Sequence, residues 1–107
     1  MPADPAKRLA YFEKITGEGS KDPLAWYGLA MEYKSQGRVD DAVRTFETLR
    51  AANPEYVAMY LMAGGALETA GKTAEAIAWY DAGIAAAKAA GNSHALGELQ
   101  SARNALG

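Results

Sequence analysis

The sequence predicts an all-α fold of about six antiparallel helices. Three observations predict it. Ala is abundant, above all after Ala51; it is the best helix former and has almost no side chain to hold neighbouring helices apart. Large, small and Gly residues recur in columns when the chain is laid against itself at an offset of 34 residues. Asp-Pro pairs and single glycines cut the chain into helix-sized pieces whose short connections make consecutive helices antiparallel.

The columns are specific. Phe12, Phe46 and Tyr80 form one, and Trp26, Tyr60 and His94 another. Ile15 falls over Leu49, Leu9 over Val43 and Ile77, Ala42 over Ala76, and Gly37 over Gly71. The small residues Ala30, Gly64, Ala42 and Ala76 suit the places where paired helices approach closely. The aromatic columns fill the space between successive pairs, as core side chains rather than a ligand box.

Taken in order, Asp4-Pro5 opens a helix over Ala6 to Thr16 that carries Leu9, Phe12 and Ile15 on one side. Because Phe12 is in register with Phe46, this piece (4–17) reads as the second helix of a truncated repeat. Arg8 stands where the full repeats have Ala42 and Ala76, tolerable at an open end without a neighbour. Asp22-Pro23 opens Leu24 to Gln36, stopped at Gly37, which suits a left-handed cap. Val39 to Ala52 follows, with Asp40 and Asp41 in its first turn and Arg50 near its end, matching the helix dipole. Asn53-Pro54 breaks that helix and Pro54-Glu55 opens the next, expected to reach Ala70 before Gly71. Thr73 to about Ala90 is a further helix, ended by Gly91-Asn92. Asn92 or Ser93 caps a last helix to about Leu106, with Ala95, Leu96, Leu99, Ala102 and Leu106 as its apolar stripe. The 34-residue register slips in this segment, so that Gly97, Glu98 and Ser101 fall in columns otherwise buried. A capping helix rotated to expose polar residues explains the slip.

The run Trp26, Leu29, Ala30, Tyr33, Ala42, Phe46 and Pro54 resembles the tetratricopeptide repeat family, with its W-x2-L-G-x2-Y, A-x3-F and P signature, and the resemblance implies that the helices wind into a short right-handed α–α superhelix. A second copy reads Tyr60, Ala63, Gly64, Leu67, Ala76 and Tyr80, with Lys88 in place of the final Pro, so its second helix should run longer than its counterpart. The expected organisation is one domain over 1–107: the half-repeat helix 4–17, repeat one 23–56, repeat two 57–90 and a capping helix 92–106. Two repeats alone are marginal, and the flanking helices supply the remainder of the core.

Chemistry is not evident. At 107 residues the chain fits one domain, with 50% hydrophobic and 22% charged residues and a formal net charge of −2. No stretch clusters Lys and Arg, which argues against a nucleic-acid partner. The absence of cysteine removes disulfides, thiolate metal sites and cysteine nucleophiles. Met1-Pro2-Ala3-Asp4-Pro5 lacks the regions of a signal peptide and no apolar run approaches a membrane span, so no membrane association and a cytoplasmic location are the expectations. The only histidine, His94, has no carboxylate placed for a triad, and Asp40-Asp41 is explained by its helix start. No ligand cluster has metal spacing, and Gly64-Gly65 lies inside a helical pattern rather than after a strand. No catalytic, cofactor-binding or metal-binding residues are therefore assigned, and an enzyme is not expected.

In a stack of such hairpins the first helices of successive repeats line a concave surface. The resemblance then implies a partner-binding groove of Leu24, Tyr27, Met31 and Lys34, continued by Ala58, Leu61, Gly65 and Glu68. The spacing of three, four and three is that of one helix stripe. The groove is apolar along most of its length, and Tyr and Met suit an adaptable protein-binding surface. Some family members grip a peptide's C-terminal carboxylate with Lys, Arg and Asn; here Lys34 stands nearly alone, and an apolar helix or extended segment is the better ligand. The expected function is a protein–protein interaction adaptor. The alternatives are a groove partly covered by the capping helix, and a self-assembling scaffold acting as a homo-oligomer.

Overall fold

Side-chain caps and left-handed glycines set the helix ends. In the computed structural model, residues 4–107 are described; Met1–Ala3, part of the segment read as lacking signal-peptide character, lie outside them. Among the described residues there are six helices and no strand: α1 (Pro5–Gly17), α2 (Pro23–Ser35), α3 (Val39–Ala52), α4 (Ala58–Thr69), α5 (Thr73–Ala90) and α6 (Ser93–Asn104). The fold is all-α, as the sequence predicts. Asp4, Asp22 and Asn92 each accept a backbone N–H of the turn they open, at 2.8, 3.0 and 3.0 Å. At Gly37 and Gly71, with φ of 75° and 76°, the chain closes two carbonyls of the preceding helix. The following residue donates five back (Arg38 to Tyr33, Lys72 to Leu67, both 2.9 Å) and the glycine three back. α5, with 18 residues against 14 in α3, is the longer second helix that the missing Pro implies.

Two helix limits differ from expectation. Pro54-Glu55 does not open α4; Tyr56 N–H instead bonds the Asn53 carbonyl at 3.0 Å, closing a four-residue turn with Pro54 in its second position. The helix begins only at Ala58, without a side-chain cap. α6 stops at Asn104 rather than Leu106, in a last turn where Leu106 N–H reaches the Arg103 carbonyl at 3.2 Å.

The chain divides into two compact units, one up to Ala52 and the other Asn53–Gly107. In the first, α2 packs against both α1 and α3. The Phe12 ring lies on Gly28 so closely that a Cβ there would stand 2.4 Å from it. Leu9, Phe12 and Leu29 are buried together, with Ile15, Trp26 and Tyr33 packed around them. On the other side of α2, Ala30 meets a core in which Ala42, Phe46 and Leu49 have no exposed surface. Arg8 does not rest at a vacant end. Its Nε donates to Glu32 Oε1 at 2.8 Å, and the Glu32 side chain is only 12% exposed. A long cation stands in the small-residue column because α2 presents a carboxylate to it.

In the second unit α5 packs between α4 and α6. A Cβ on Gly64 would lie 2.3 Å from the Tyr80 ring, and one on Gly83 2.5 Å from Tyr60 and 2.8 Å from Leu99. Met59, Ala63, Leu67, Ala76, Ala87 and Leu99 complete this core. α6 turns Leu99 inward and leaves His94, Gly97, Glu98 and Ser101 exposed, the rotation that the register slip implies.

Candidate partner-binding site

Each unit carries half of the expected residues. On α2, Leu24, Tyr27 and Lys34 share a stripe with Met31. Leu24 is 63% exposed, one of two strongly exposed large hydrophobic residues among those described, while the other three are partly buried. Tyr27 is drawn towards the core: its ring meets Phe46 edge-on, with centroids 6.3 Å apart and planes at 62°. The accessible apolar head of the stripe is therefore Leu24, with Met31 about two helical turns further on.

On α4, Ala58 and Glu68 are exposed and Leu61 and Gly65 partly buried. Glu68 is partly engaged by its own unit, because the Tyr80 hydroxyl donates to its Oε2. Burial, reinforced by this hydrogen bond and by the carboxylate's charge, holds the Tyr80 phenol above its ordinary range. Ala58 and Leu61 share a cleft of about 240 Å³ with Val57, Ala95 and Leu99. Asn92, His94 and Glu98 form its rim. α6 thus makes a wall of this cleft.

The indole N–H of Trp26 donates to the carbonyl of Ser20 at 2.7 Å, and the Tyr60 hydroxyl donates to that of Pro54. Both acceptors lie six residues upstream, in the connection before the helix. One column thus fixes two linkers by the same device. His94, third in the column, is exposed and pairs with Glu98 at 3.1 Å.

Polar clusters are accounted for locally. Arg38 and Arg44 both bond Asp41, holding its carboxyl below the usual range, and the Arg38 guanidinium lies 4.5 Å over the Tyr33 ring. No group of three His, Cys, Asp or Glu side chains among the described residues is placed to hold a metal ion. No helix among them is long and apolar enough to cross a membrane.

Residues 27–93 match the family model described as tetratricopeptide repeat. The crystal structure of a tetratricopeptide repeat domain protein from Salinibacter ruber is similar at 34% identity, covering 80% of this chain and 96% of that one with a TM-score of 0.73. A solution structure of a tetratricopeptide repeat domain protein from the same organism gives 34% identity, 80% and 87% coverage, and a TM-score of 0.75. A protein from Bordetella parapertussis, at 24% identity, shares the fold over 99% of this chain and 89% of its own with a TM-score of 0.79. No curated protein matches.

Proposed function

Because the chain belongs to the tetratricopeptide repeat family, whose fold is generally a non-catalytic protein–protein interaction module, we propose that it is an adaptor that holds an apolar helix or extended segment of a partner protein. The observation that carries this reading is Leu24, a large apolar side chain 63% exposed at the head of the α2 stripe. Met31 adds a polarizable surface that adapts to different partners, and Leu61 offers the second unit's apolar contact beside an open cleft. Lys34 and Glu68 frame the C-terminal ends of the two stripes. A cysteine-free chain suits the reducing cytoplasm. Self-assembly through end faces is the weaker reading, since the outward face of α6 is polar.

The test is capture from a lysate by immobilised protein, comparing the parent with Leu24→Glu combined with Met31→Ala. Tyr27 is left in place because its ring packs on Phe46. The double variant should keep its helicity and melting and lose the captured protein. Undiminished capture would remove the α2 stripe from consideration.

A further inference from the structure

The cleft between the first turns of α4 and α6 has a composition that goes beyond a generic apolar contact. Its floor is aliphatic, with Leu61 partly buried and Leu99 1% exposed. An apolar cavity of ~150 Å³ takes a benzene molecule, so a cleft of about 240 Å³ accommodates one large side chain and not a second helix. The rim is polar and its groups are not equivalent. The Asn92 carbonyl oxygen is occupied by the Ala95 N–H, as helix cap, at 3.0 Å. His94, 88% exposed, reaches forward one helical turn to Glu98 at 3.1 Å. Glu98, half-exposed, is the one carboxylate on the lining, and no Lys or Arg lines the cleft. The surrounding unit has the same sign: residues 53–107 carry five carboxylate and three cationic side chains, and Arg103 is already paired with Asp81 at 3.1 Å.

We propose that this cleft seats one large apolar side chain of a partner peptide and selects it by a Lys or Arg next to that side chain, drawn by the Glu98 carboxylate. The proposal rests on the reading of the α4 stripe as a peptide-binding surface. The aliphatic floor supplies most of the affinity and accepts several side chains of similar size. The carboxylate at the mouth contributes selectivity, because an acidic neighbour would meet like charge while a basic one gains an ion pair.

Two short fluorescent peptides test this, one with a Leu flanked by Lys and the other with the same Leu flanked by Glu, each followed by anisotropy and by backbone amide shifts. The Lys-flanked peptide should bind about fivefold tighter at low salt, the scale of exposed charge pairs, and salt should erode the difference. Glu98→Gln should abolish the preference while leaving melting unchanged, and Leu61→Ala should weaken both peptides alike. Amides of Leu61 and Leu99 should shift. Equal affinities of the parent for both peptides, or a preference that survives Glu98→Gln, would overturn the proposal and leave the α4 stripe standing. Absence of any shift at Leu61 and Leu99 with either peptide would overturn both.

Discussion

Adding one methyl group at Gly64 should make the second unit easier to unfold, although in a free helix the same change strengthens the helix. Gly→Ala in a helix interior is worth about 1 kcal/mol. At Gly64 the new Cβ would stand 2.3 Å from Tyr80 Cε1 and 2.7 Å from both Cδ1 and Cζ, inside contact distance of a ring that is 1% exposed. The ring cannot slide away freely, because its hydroxyl is bound to Glu68. Overpacking of this kind costs about 1–3 kcal/mol, which exceeds the propensity gain and leaves a net loss on the order of 1 kcal/mol. Gly97 is the control: it is also inside a helix, and nothing lies within 4 Å of a Cβ built there. Gly97→Ala should therefore gain about 0.5–1 kcal/mol. Trp26 and Trp79 are the only tryptophans and lie in different units, so a Trp26→Phe background lets Trp79 emission report on the second unit. Urea midpoints should move in opposite directions with unchanged slopes. In a Tyr80→Phe background, where the tether to Glu68 is gone, the cost of Gly64→Ala should fall. If Gly64→Ala is as stable as the parent, or if Tyr80→Phe leaves its cost untouched, the close-packing argument fails.

Arg8→Ala should destabilise the first unit by about 1–2 kcal/mol, since it strands a mostly buried carboxylate on Glu32; Glu32→Gln in the same chain should restore part of the loss, read from Trp26 emission. Alkaline stability should depend on Tyr80. Its folded pKa is raised above the ordinary 10.0, so the contribution is complete below pH 10 and is lost as pH climbs beyond it. Tyr80→Phe should flatten that decline in the second unit, and a decline of unchanged steepness would exclude Tyr80 as its source. Tyr60→Phe, which removes the hydrogen bond to the Pro54 carbonyl, should cost about 1 kcal/mol by urea titration.

The helix ends at Gly37, Gly71 and Gly91 were legible because a left-handed cap is a local requirement of one residue. The small columns at Ala30, Ala42, Gly64 and Ala76 were legible because close approach repeats with the period. The sequence makes Arg8 tolerable by vacancy, whereas its partner Glu32 lies 24 residues away and leaves no trace in local pattern. Pro54 misled for a different reason: Pro favours the second position of a turn as readily as the first turn of a helix, and here the turn formed. Of the site, the sequence supplied the α2 and α4 stripes as helix faces. It did not supply the inward pull on Tyr27, the engagement of Glu68 by Tyr80, or the cleft, because each depends on how a second helix is rotated.

The rotation of α6 also bears on attempts to lengthen the array. A further helical pair joined after this helix would meet Ser93, His94, Gly97, Glu98 and Ser101, all exposed, and would find almost no apolar area to cover there. Tandem copies linked in this way should behave as beads on a string, each melting as it does alone, with no gain in cooperativity as beads are added. A continuous rod would require an oily outward face on α6, for example Leu at positions 97 and 101, before the next pair could transmit any stability to it.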